Sequence, residues 1–502
     1  MDRVLTICFC WLLTDAAVAE FHNAMHAPGY MDTTWATVHG DSSNSDYVPL
    51  QSSIELEFQW RILEGAGIWT APSVARDGTL YSTTGRGRGY SSLHAINPDG
   101  SIRWQSKPYR NEDDLDSLAV FSCPVLDERG DIYVGDSNQF WAFRPDGSIK
   151  WVVDLRELGI QGAFVTAAIV GEHVGGVSTD GKVVLFRRDS GEPSAPVLDL
   201  PGGSAKVDSP KPPGLWDGGL MDPERVEMVW DVLLGNIYEI ANSPAVNPKT
   251  GRLYITGAGT TEEAGHLYGI DLKDGKLTIG MLADIPPNSG TSPAISPDGK
   301  RLYAMAQGDV FAMDADSGKT LWSRPVDGQA ASPSVSIQDV VYVLAGDDLV
   351  AVQGETGEIV WSRAYHAFAE QHLPKLWRRF GLFKTGAPVA YIDSVVTITE
   401  NVLWTSLLLS YDLNLFGREH ATAVQTHLVA LNPEDGAVLA SYPLPDSSEG
   451  GISVGPQGEL YLDILAAQAS VAWHGGYRWL LPREATPAEL PRGGLVAFRP
   501  KH

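Results

Sequence analysis

Residues 310–322 read VFAMDADSGKTLW, and this stretch contains the unit from which most of the chain is built. A short apolar run, Val310 to Met313, leads into a turn that ends at Gly318, and Trp322 follows four residues after that glycine. Glycine adopts a positive φ without a Cβ clash, so this turn is typical of a tight hairpin. The stretch therefore predicts two antiparallel strands, the second of which carries a tryptophan.

The same spacing recurs along the chain. A turn glycine is followed four residues later by an equivalent position at Gly100–Trp104, Gly147–Trp151, Gly191–Ala195, Gly275–Ile279, Gly318–Trp322, Gly357–Trp361 and Gly436–Ala440. Two further apolar runs precede these hairpins, and a small residue followed by proline opens many of the units, as in Ser292-Pro293. Four short strands, A to D, in each repeat of roughly 40–50 residues are the signature of a propeller blade.

The two ends of the repeat region complement each other. Gly451 to Val454 begins an eighth unit and Leu495 to Phe498 gives its third strand, but no fourth strand follows before His502. Residues 57–61 read EFQWR and place Trp60 in the missing position. We expect this N-terminal strand to complete the last blade, which closes the ring and removes its free edges. The predicted fold is an all-β, eight-bladed propeller of four-stranded blades.

Residues 1–19 have the features of a secretory signal peptide. Arg3 precedes an apolar stretch from Val4 to Leu13, and Ala17-Val18-Ala19 resembles a cleavage site, so we expect a cut before Glu20. Cys8 and Cys10 follow Ile7 and Phe9, whereas lipoprotein cleavage needs a small residue there, so no lipid anchor is expected. Cys123 is then the only cysteine of the mature chain, and an exported protein without disulfides fits the periplasm.

The predicted organisation is a signal peptide (1–19), a lead-in segment (20–53) and one propeller (54–502). Four long insertions interrupt the propeller, at 199–241, 363–385, 405–425 and 465–493. Two of the intervals between repeats are therefore long. Neither contains a further turn glycine followed four residues later by a docking position, so each holds an insertion and not an additional blade.

Composition restricts the classes of partner. The 502 residues include 37 Lys and Arg against 62 Asp and Glu, a net charge of −25, which argues against binding nucleic acid. After the signal peptide no stretch of eighteen uninterrupted apolar residues occurs, so no transmembrane segment is expected. The 52 glycines and 32 prolines agree with a fold of many short strands and turns.

The repeat resembles the quinoprotein-type (PQQ-like) β-propeller family and its alanine–glycine–tryptophan docking motif. Ala95 to Trp104, Ala142 to Trp151, Ala312 to Trp322 and Ala351 to Trp361 carry the motif best. The stretch from Trp35 through His39-Gly40-Asp41 to Tyr47 is similar to the lead-in segment of that family. The resemblance implies that each docking tryptophan packs against the neighbouring blade. It covers nearly all of residues 35–500 and is specific for the fold and weak for function, and we expect the chain to be a non-catalytic member.

Two functional classes follow from this resemblance. Some members are periplasmic dehydrogenases that hold pyrroloquinoline quinone (PQQ) and Ca²⁺, and others are scaffolds, such as the subunit of the outer-membrane barrel assembly machinery. Many alcohol-oxidising members use an adjacent cysteine pair, which this chain lacks, and we find no matching acidic cluster and no Cys-x-x-Cys-His haem motif. We therefore expect a binding scaffold without catalytic residues, cofactor or metal. A PQQ-dependent dehydrogenase with Ca²⁺, or a propeller that binds a small ligand, remains the alternative.

Strand topology assigns the four insertions to one face. In a four-stranded meander the A–B and C–D turns share one face, and the B–C loops and blade-to-blade connections share the other, which we call the insertion face. Its segments are rich in aromatic and basic residues, which either cap the ring or dock a partner. The predicted partner is another envelope protein, bound by a monomeric propeller. The candidate residues are Trp69, Arg86, Arg88, Glu262, His266, Trp377, Arg378, Arg379, Phe380, Trp404, Trp473, Arg478 and Trp479.

Overall fold

A computed structural model describes residues 25–202, 242–258, 264–286, 291–327, 331–345, 347–374, 388–415, 418–464 and 493–501. These residues form eight sheets arranged in a ring, which is an eight-bladed β-propeller, and all strand pairs are antiparallel except that of Tyr47–Val48 with Thr397–Thr399. The structure therefore confirms the predicted fold.

Each blade runs from strand A near the ring centre to strand D at the rim. The A strands of blades 1 to 8 are Ser73–Val74, Val125–Leu126, Ala168–Val170, Ala245–Val246, Ala294–Ile295, Ser334–Val335, Thr397–Thr399 and Ile452–Val454. The B strands are Leu80–Thr83, Ile132–Gly135, His173–Val177, Leu253–Ala258, Arg301–Ala306, Val340–Ala345, Leu403–Leu415 and Leu460–Ile464. The C strands are Leu93–Ile96, Gln139–Phe143, Lys182–Arg187, Gly265–Lys273, Asp309–Asp314, Asp348–Gln353, Arg418–Leu431 and Gly494–Pro500. The D strands are Ile102–Gln105, Ile149–Asp154, Leu198–Asp199, Lys276–Ile285, Thr320–Pro325, Ile359–Ala364, Val438–Leu444 and Leu56–Ile62.

A few short elements lie outside this pattern. Strands Tyr47–Val48 and Pro388–Ile392 join the sheet of blade 7, which therefore has six strands. The α-helix His366–His372 follows blade 6, and two 3₁₀ helices, Ser117–Phe121 and Leu155–Leu158, lie in blade connections.

The N-terminal strand closes the ring. Leu56–Ile62 pairs antiparallel with Gly494–Pro500, and Trp60 lies opposite Ala497. In the other regular blades the docking tryptophan likewise faces an alanine, as Trp322 faces Ala312. The predicted closure is thus confirmed.

The docking tryptophans join neighbouring blades at the rim. The indole Nε1 of Trp322 donates a hydrogen bond of 2.9 Å to the carbonyl oxygen of Gly354 in the next blade. A Cβ on Gly357 would lie 2.7 Å from the same ring, so the turn glycine leaves room for the indole. The equivalent bonds run from Trp60 to Pro98, Trp104 to Pro145, Trp151 to Arg188 and Trp361 to Pro433.

Blade 4 departs from the predicted register. Met281, and not Ile279, lies opposite Gly269 at the position that tryptophan takes elsewhere. Asp274 and Gly275 both have positive φ, 50° and 69°, as a two-residue type I′ hairpin requires. The two strands of this hairpin stay paired up to the turn. The residue that docks on the next blade therefore lies six residues after Gly275, and not four as in the other repeats. Met281 Sδ lies 2.8 Å from where a Cβ on Gly318 would stand.

The lead-in segment occupies the centre of the ring. Its backbone carbonyls accept hydrogen bonds from strand A residues of successive blades: Trp35 from Val74, Ala36 from Leu126, Ser42 from Val246, Ser43 from Ile295, Ser45 from Val335 and Asp46 from Ile398. Blades 3 and 8 are held by side chains, since Tyr30 accepts from the Ile169 amide and Thr34 donates to the Val454 carbonyl. One segment therefore contacts the inner strand of every blade.

Candidate binding face

The lead-in segment and the strand ends from which the insertions depart lie at opposite ends of the ring axis. The strand A amides that bond the segment come just before the A–B turns, as Val74 precedes the turn between Ala75 and Thr79. The segment therefore covers the centre of the ring on the face of the short turns. The lead-in segment does not cover the opposite face, the insertion face, so that face can accommodate the long B–C loops and blade-to-blade connections.

Among the described residues, blade 7 extends furthest on the insertion face. Its strands B and C span Leu403–Leu415 and Arg418–Leu431, whereas those of blades 5 and 6 have six residues each. The insertion at 405–425, predicted as a loop, is thus largely a continuous hairpin. At roughly 3.4 Å per residue, seven additional residues lengthen it by about 20 Å.

A helix and a third strand pack against this hairpin. Pro388–Ile392 pairs with Leu407–Tyr411, and the helix His366–His372 contacts Pro388–Ile392. Phe368, Leu373, Leu407 and Leu409 belong to one buried cluster with Tyr342 and Leu349 of blade 6. We call residues 365–374, 388–392, 406–415 and 418–425 the annex. The helical part of the insertion at 363–385 therefore packs at the base of the annex, where it caps the hydrophobic cluster shared with blade 6.

Trp404 belongs to the core and not to the exposed face. Its side chain is fully buried, and Nε1 donates a 2.9 Å hydrogen bond to Ser52 Oγ of the lead-in segment. It lies one residue into strand B, where side chains alternate between faces of a buried sheet. The prediction that Trp404 contributes to a surface site is therefore wrong.

The blade 1 candidates lie close together. Trp69 packs edge-on against Phe121, with ring centroids 4.5 Å apart, in the connection that enters blade 1. Arg86 and Arg88 lie in the B–C loop of the same blade, where the Arg86 guanidinium stands 4.7 Å from the Tyr90 ring centroid. Arg88 reaches Tyr109 at 6.0 Å.

His266 lies elsewhere, in strand C of blade 4. Its Nδ1 is 3.0 Å from Asp284 Oδ1, and its ring packs edge-on to Tyr268. The structure does not bring it together with Arg86 or Arg88. The remaining candidates lie outside the described residues: Glu262, Trp377, Arg378, Arg379, Phe380, Trp473, Arg478 and Trp479.

A buried carboxyl group, Asp463, and a half-buried one, Asp393, were not identified from the sequence. Asp393 accepts hydrogen bonds from Ser447 Oγ and the Ser448 amide, and Asp463 accepts one of 3.2 Å from the Gly450 amide. Burial raises the pKa of Asp463 to about 8, and burial also raises the pKa of Asp393. An aspartate within the apolar run LYLDI was a visible signal for Asp463. Both carboxyls anchor the connection into blade 8.

The described residues contain neither a candidate metal cluster nor a helix that could span a membrane. Within them, no three His, Cys, Asp or Glu side chains come together as a possible metal site. None of the helices in this part of the chain is long and apolar enough to cross a membrane.

Comparison with known families gives the class of the protein. A family model described as "Outer membrane protein assembly factor BamB" matches residues 51–210 and 245–455, which is more than half of the chain. The chain therefore belongs to this family of PQQ-type propeller repeats. A comparison with curated protein sequences found no match.

Two solved structures show the same fold at low sequence identity, and a third also aligns with this chain. A quinohemoprotein alcohol dehydrogenase from Comamonas testosteroni aligns with a TM-score of 0.60 and 14% identity, over 94% of this chain and 81% of that one. A europium-containing methanol dehydrogenase aligns with a TM-score of 0.57 and 13% identity, over 93% of this chain and 98% of that one. BamB from Moraxella catarrhalis aligns with a TM-score of 0.47 and 14% identity, over 88% of this chain and 98% of that one.

Among the described residues there is no adjacent cysteine pair of the kind that many alcohol-oxidising members place against PQQ. Cys123 is fully buried in the connection before strand A of blade 2, with Sγ 3.5 Å from the Ala71 carbonyl oxygen, and it has no neighbouring cysteine in sequence.

Proposed function

We propose that the protein is an exported, periplasmic scaffold that docks another envelope protein through its insertion face. The annex carries this proposal, because a ring of eight blades closes without it. Structure that a scaffold does not need for closure is where binding function usually lies. Membership of a family described as an outer membrane protein assembly factor supports the same class of function.

The charge of the adjoining segment suggests how a partner would be recognised. Residues 375–384 contain Lys375, Arg378, Arg379 and Lys384, four cations on a chain of net charge −25. Arginine and aromatic residues are enriched among the residues that dominate binding energy at interfaces. An acidic surface on the partner would complement this segment, with the field acting over roughly 8–10 Å.

The decisive experiment replaces part of one insertion. A linker that starts at residue 367 would delete Phe368 and Leu373, which are buried, so it would test folding and not docking. Replacing 375–384 with Gly and Ser leaves the helix His366–His372 intact. We expect a folded monomer with an unchanged melting temperature that loses its partner when purified from the native envelope.

A charge-matched control separates docking from a change in net charge. Arg144, Lys249, Lys300 and Lys319 lie in A–B or C–D turns of the opposite face, and their replacement by Ser removes the same four charges. This control should keep the partner. Equal recovery of the partner by the 375–384 variant and the wild type would exclude this segment as the docking site, and residues around Trp473 and Trp479 would be tested next.

A PQQ-dependent dehydrogenase is the second candidate function. The alignment with two dehydrogenase structures over more than 90% of this chain is the observation that favours it. Isothermal titration of PQQ in the presence of Ca²⁺ distinguishes the two functions. We expect no stoichiometric binding, and one tight, Ca²⁺-dependent site per chain would establish the alternative.

A further inference from the structure

A cavity of about 270 Å³ lies in blade 1, away from the annex. Arg86, Tyr90, Ser91, His94 and Gln105 contribute to its wall. The guanidinium of Arg86 lies over the Tyr90 ring and makes no salt bridge with any carboxylate of the described residues.

Two buried polar side chains in the same wall also lack partners. His94 is 6% exposed and Ser91 is 5% exposed, and neither His94 Nδ1 nor Ser91 Oγ has a hydrogen-bond partner among the described residues. Buried polar atoms are nearly always hydrogen-bonded, because leaving one unsatisfied costs about 1–3 kcal/mol. Burial and, secondarily, the charge of Arg86 lower the pKa of His94 to about 4, so its ring is neutral at neutral pH.

The wall of the cavity is held in place by backbone hydrogen bonds. The Gly85 amide donates to Gly67, the Gly89 amide donates to Tyr109, and the Tyr109 amide donates to Tyr90. Arg86 Nη2 donates to the Glu64 carbonyl, which fixes the orientation of the guanidinium. The donors of the site are therefore positioned before any ligand binds, which lowers the entropic cost of binding.

We propose that this cavity binds a carboxylate group, held by the Arg86 guanidinium and the Ser91 hydroxyl, with the neutral His94 ring as a third partner. A guanidinium presents several N–H donors in one plane that match the two oxygens of a carboxylate. The stacked Tyr90 ring covers one face of the guanidinium and leaves its edge for the ligand. This site is independent of the proposed docking segment at 375–384.

Succinate and a peptide that ends in two glutamates are the probes, because the carboxylate can belong to a free small molecule or to a protein. Each is titrated calorimetrically into the full chain at constant ionic strength, with phosphate as a third probe. Arg86→Gln is compared with Arg88→Gln, an arginine two residues away in the same loop. We expect one site per chain, at least tenfold weaker binding for Arg86→Gln, and binding within twofold of wild type for Arg88→Gln.

Spectroscopy and a second variant make the outcome unambiguous. ¹⁵N-labelled histidine spectra should show the His94 signal shifting with succinate, and Ser91→Ala should weaken binding without a change in the melting temperature. Binding of the peptide alone assigns the carboxylate to a protein ligand, and succinate binding assigns it to a small molecule. Binding of phosphate alone, equal loss in both arginine variants, or no binding of any probe would overturn the proposal.

Discussion

The rim and the hub of this propeller join neighbouring blades by different means. At the rim, indole rings dock on the turn of the next blade at five of the described seams. The seam between blades 3 and 4 has none, and a Cβ on Gly275 would meet no atom within 4 Å. At the hub, by contrast, the lead-in segment contacts the inner strand of every blade.

This difference shows that the repeated tryptophan contact does not by itself join every pair of neighbouring blades. The seam between blades 4 and 5 has a methionine in place of the indole, and there Asn44 of the lead-in segment donates to the carbonyls of Ser243 and Pro293. At the seam between blades 7 and 8, the Tyr442 hydroxyl accepts from the Leu56 amide. The lead-in segment thus joins blades 4 and 5 where the indole contact is missing, whereas blades 7 and 8 are joined by a hydrogen bond between their own D strands.

Deleting residues 54–62 should have the largest effect. It removes strand D of blade 8 and the Trp60 contact, and it exposes the edge of Gly494–Pro500. We expect loss of cooperative thermal unfolding and aggregation, measured by circular dichroism and light scattering. An unchanged melting temperature would contradict the observed closure.

Trp322→Ala should have the next largest effect on stability. The side chain is partly buried and its Nε1 bonds the next blade, so truncation should cost about 3 kcal/mol in denaturant melts. Leu321→Ala is the control, because the neighbouring leucine is 49% exposed. A loss below about 1 kcal/mol for Trp322→Ala would mean that rim docking contributes little.

The rim could be predicted from the sequence, whereas the hub could not. The docking tryptophans recur at a fixed distance from a turn glycine, and that distance is set by local hairpin geometry. The register was wrong only where the hairpin changed type, at Asp274-Gly275. The lead-in segment makes unique long-range bonds through backbone carbonyls, and these leave no periodic pattern. Trp404 was assigned to the surface for the same reason, since its partner Ser52 is remote in sequence.

Asn44→Gly tests the hub at a seam without an indole. Asn44 has a φ of 54°, which glycine adopts freely, so the substitution removes the side-chain hydrogen bonds without backbone strain. Two buried carbonyls lose their donor, and we expect a loss of about 2 kcal/mol in unfolding free energy. Asn97→Gly, at an exposed turn, is the control. Equal losses of unfolding free energy in the two variants would show that the hydrogen bonds of Asn44 at the hub stabilise the protein no more than those of an exposed turn.

The smallest expected effect is a pH dependence of the hub. Asp41 is fully buried beside His39 and Asp46, and burial raises its pKa from 3.8 to about 7. The folded protein therefore holds a proton on Asp41 that the unfolded chain releases. The contribution of this proton to the unfolding free energy falls as pH rises from the pKa of Asp41 in the unfolded chain to its pKa in the folded protein. Above the folded pKa the contribution stays near zero. Between about pH 6 and pH 8 the loss should be about 1 kcal/mol.

Asp41→Asn tests this contribution together with its coupling to His39, whose pKa, against the lowering effect of burial, is raised by Asp46 and further by Asp41. Asparagine keeps an oxygen that can accept from the amides of Ser43 and Ser45, and it carries no titrating proton. Burial lowers the pKa of His94 and of His427 in both proteins, so their effects cancel in the difference. Urea melts across this range should show wild type losing stability relative to the variant as pH rises. Parallel curves would mean that Asp41 is already ionised in the folded hub, with Ser45 and the two amides stabilising its charge.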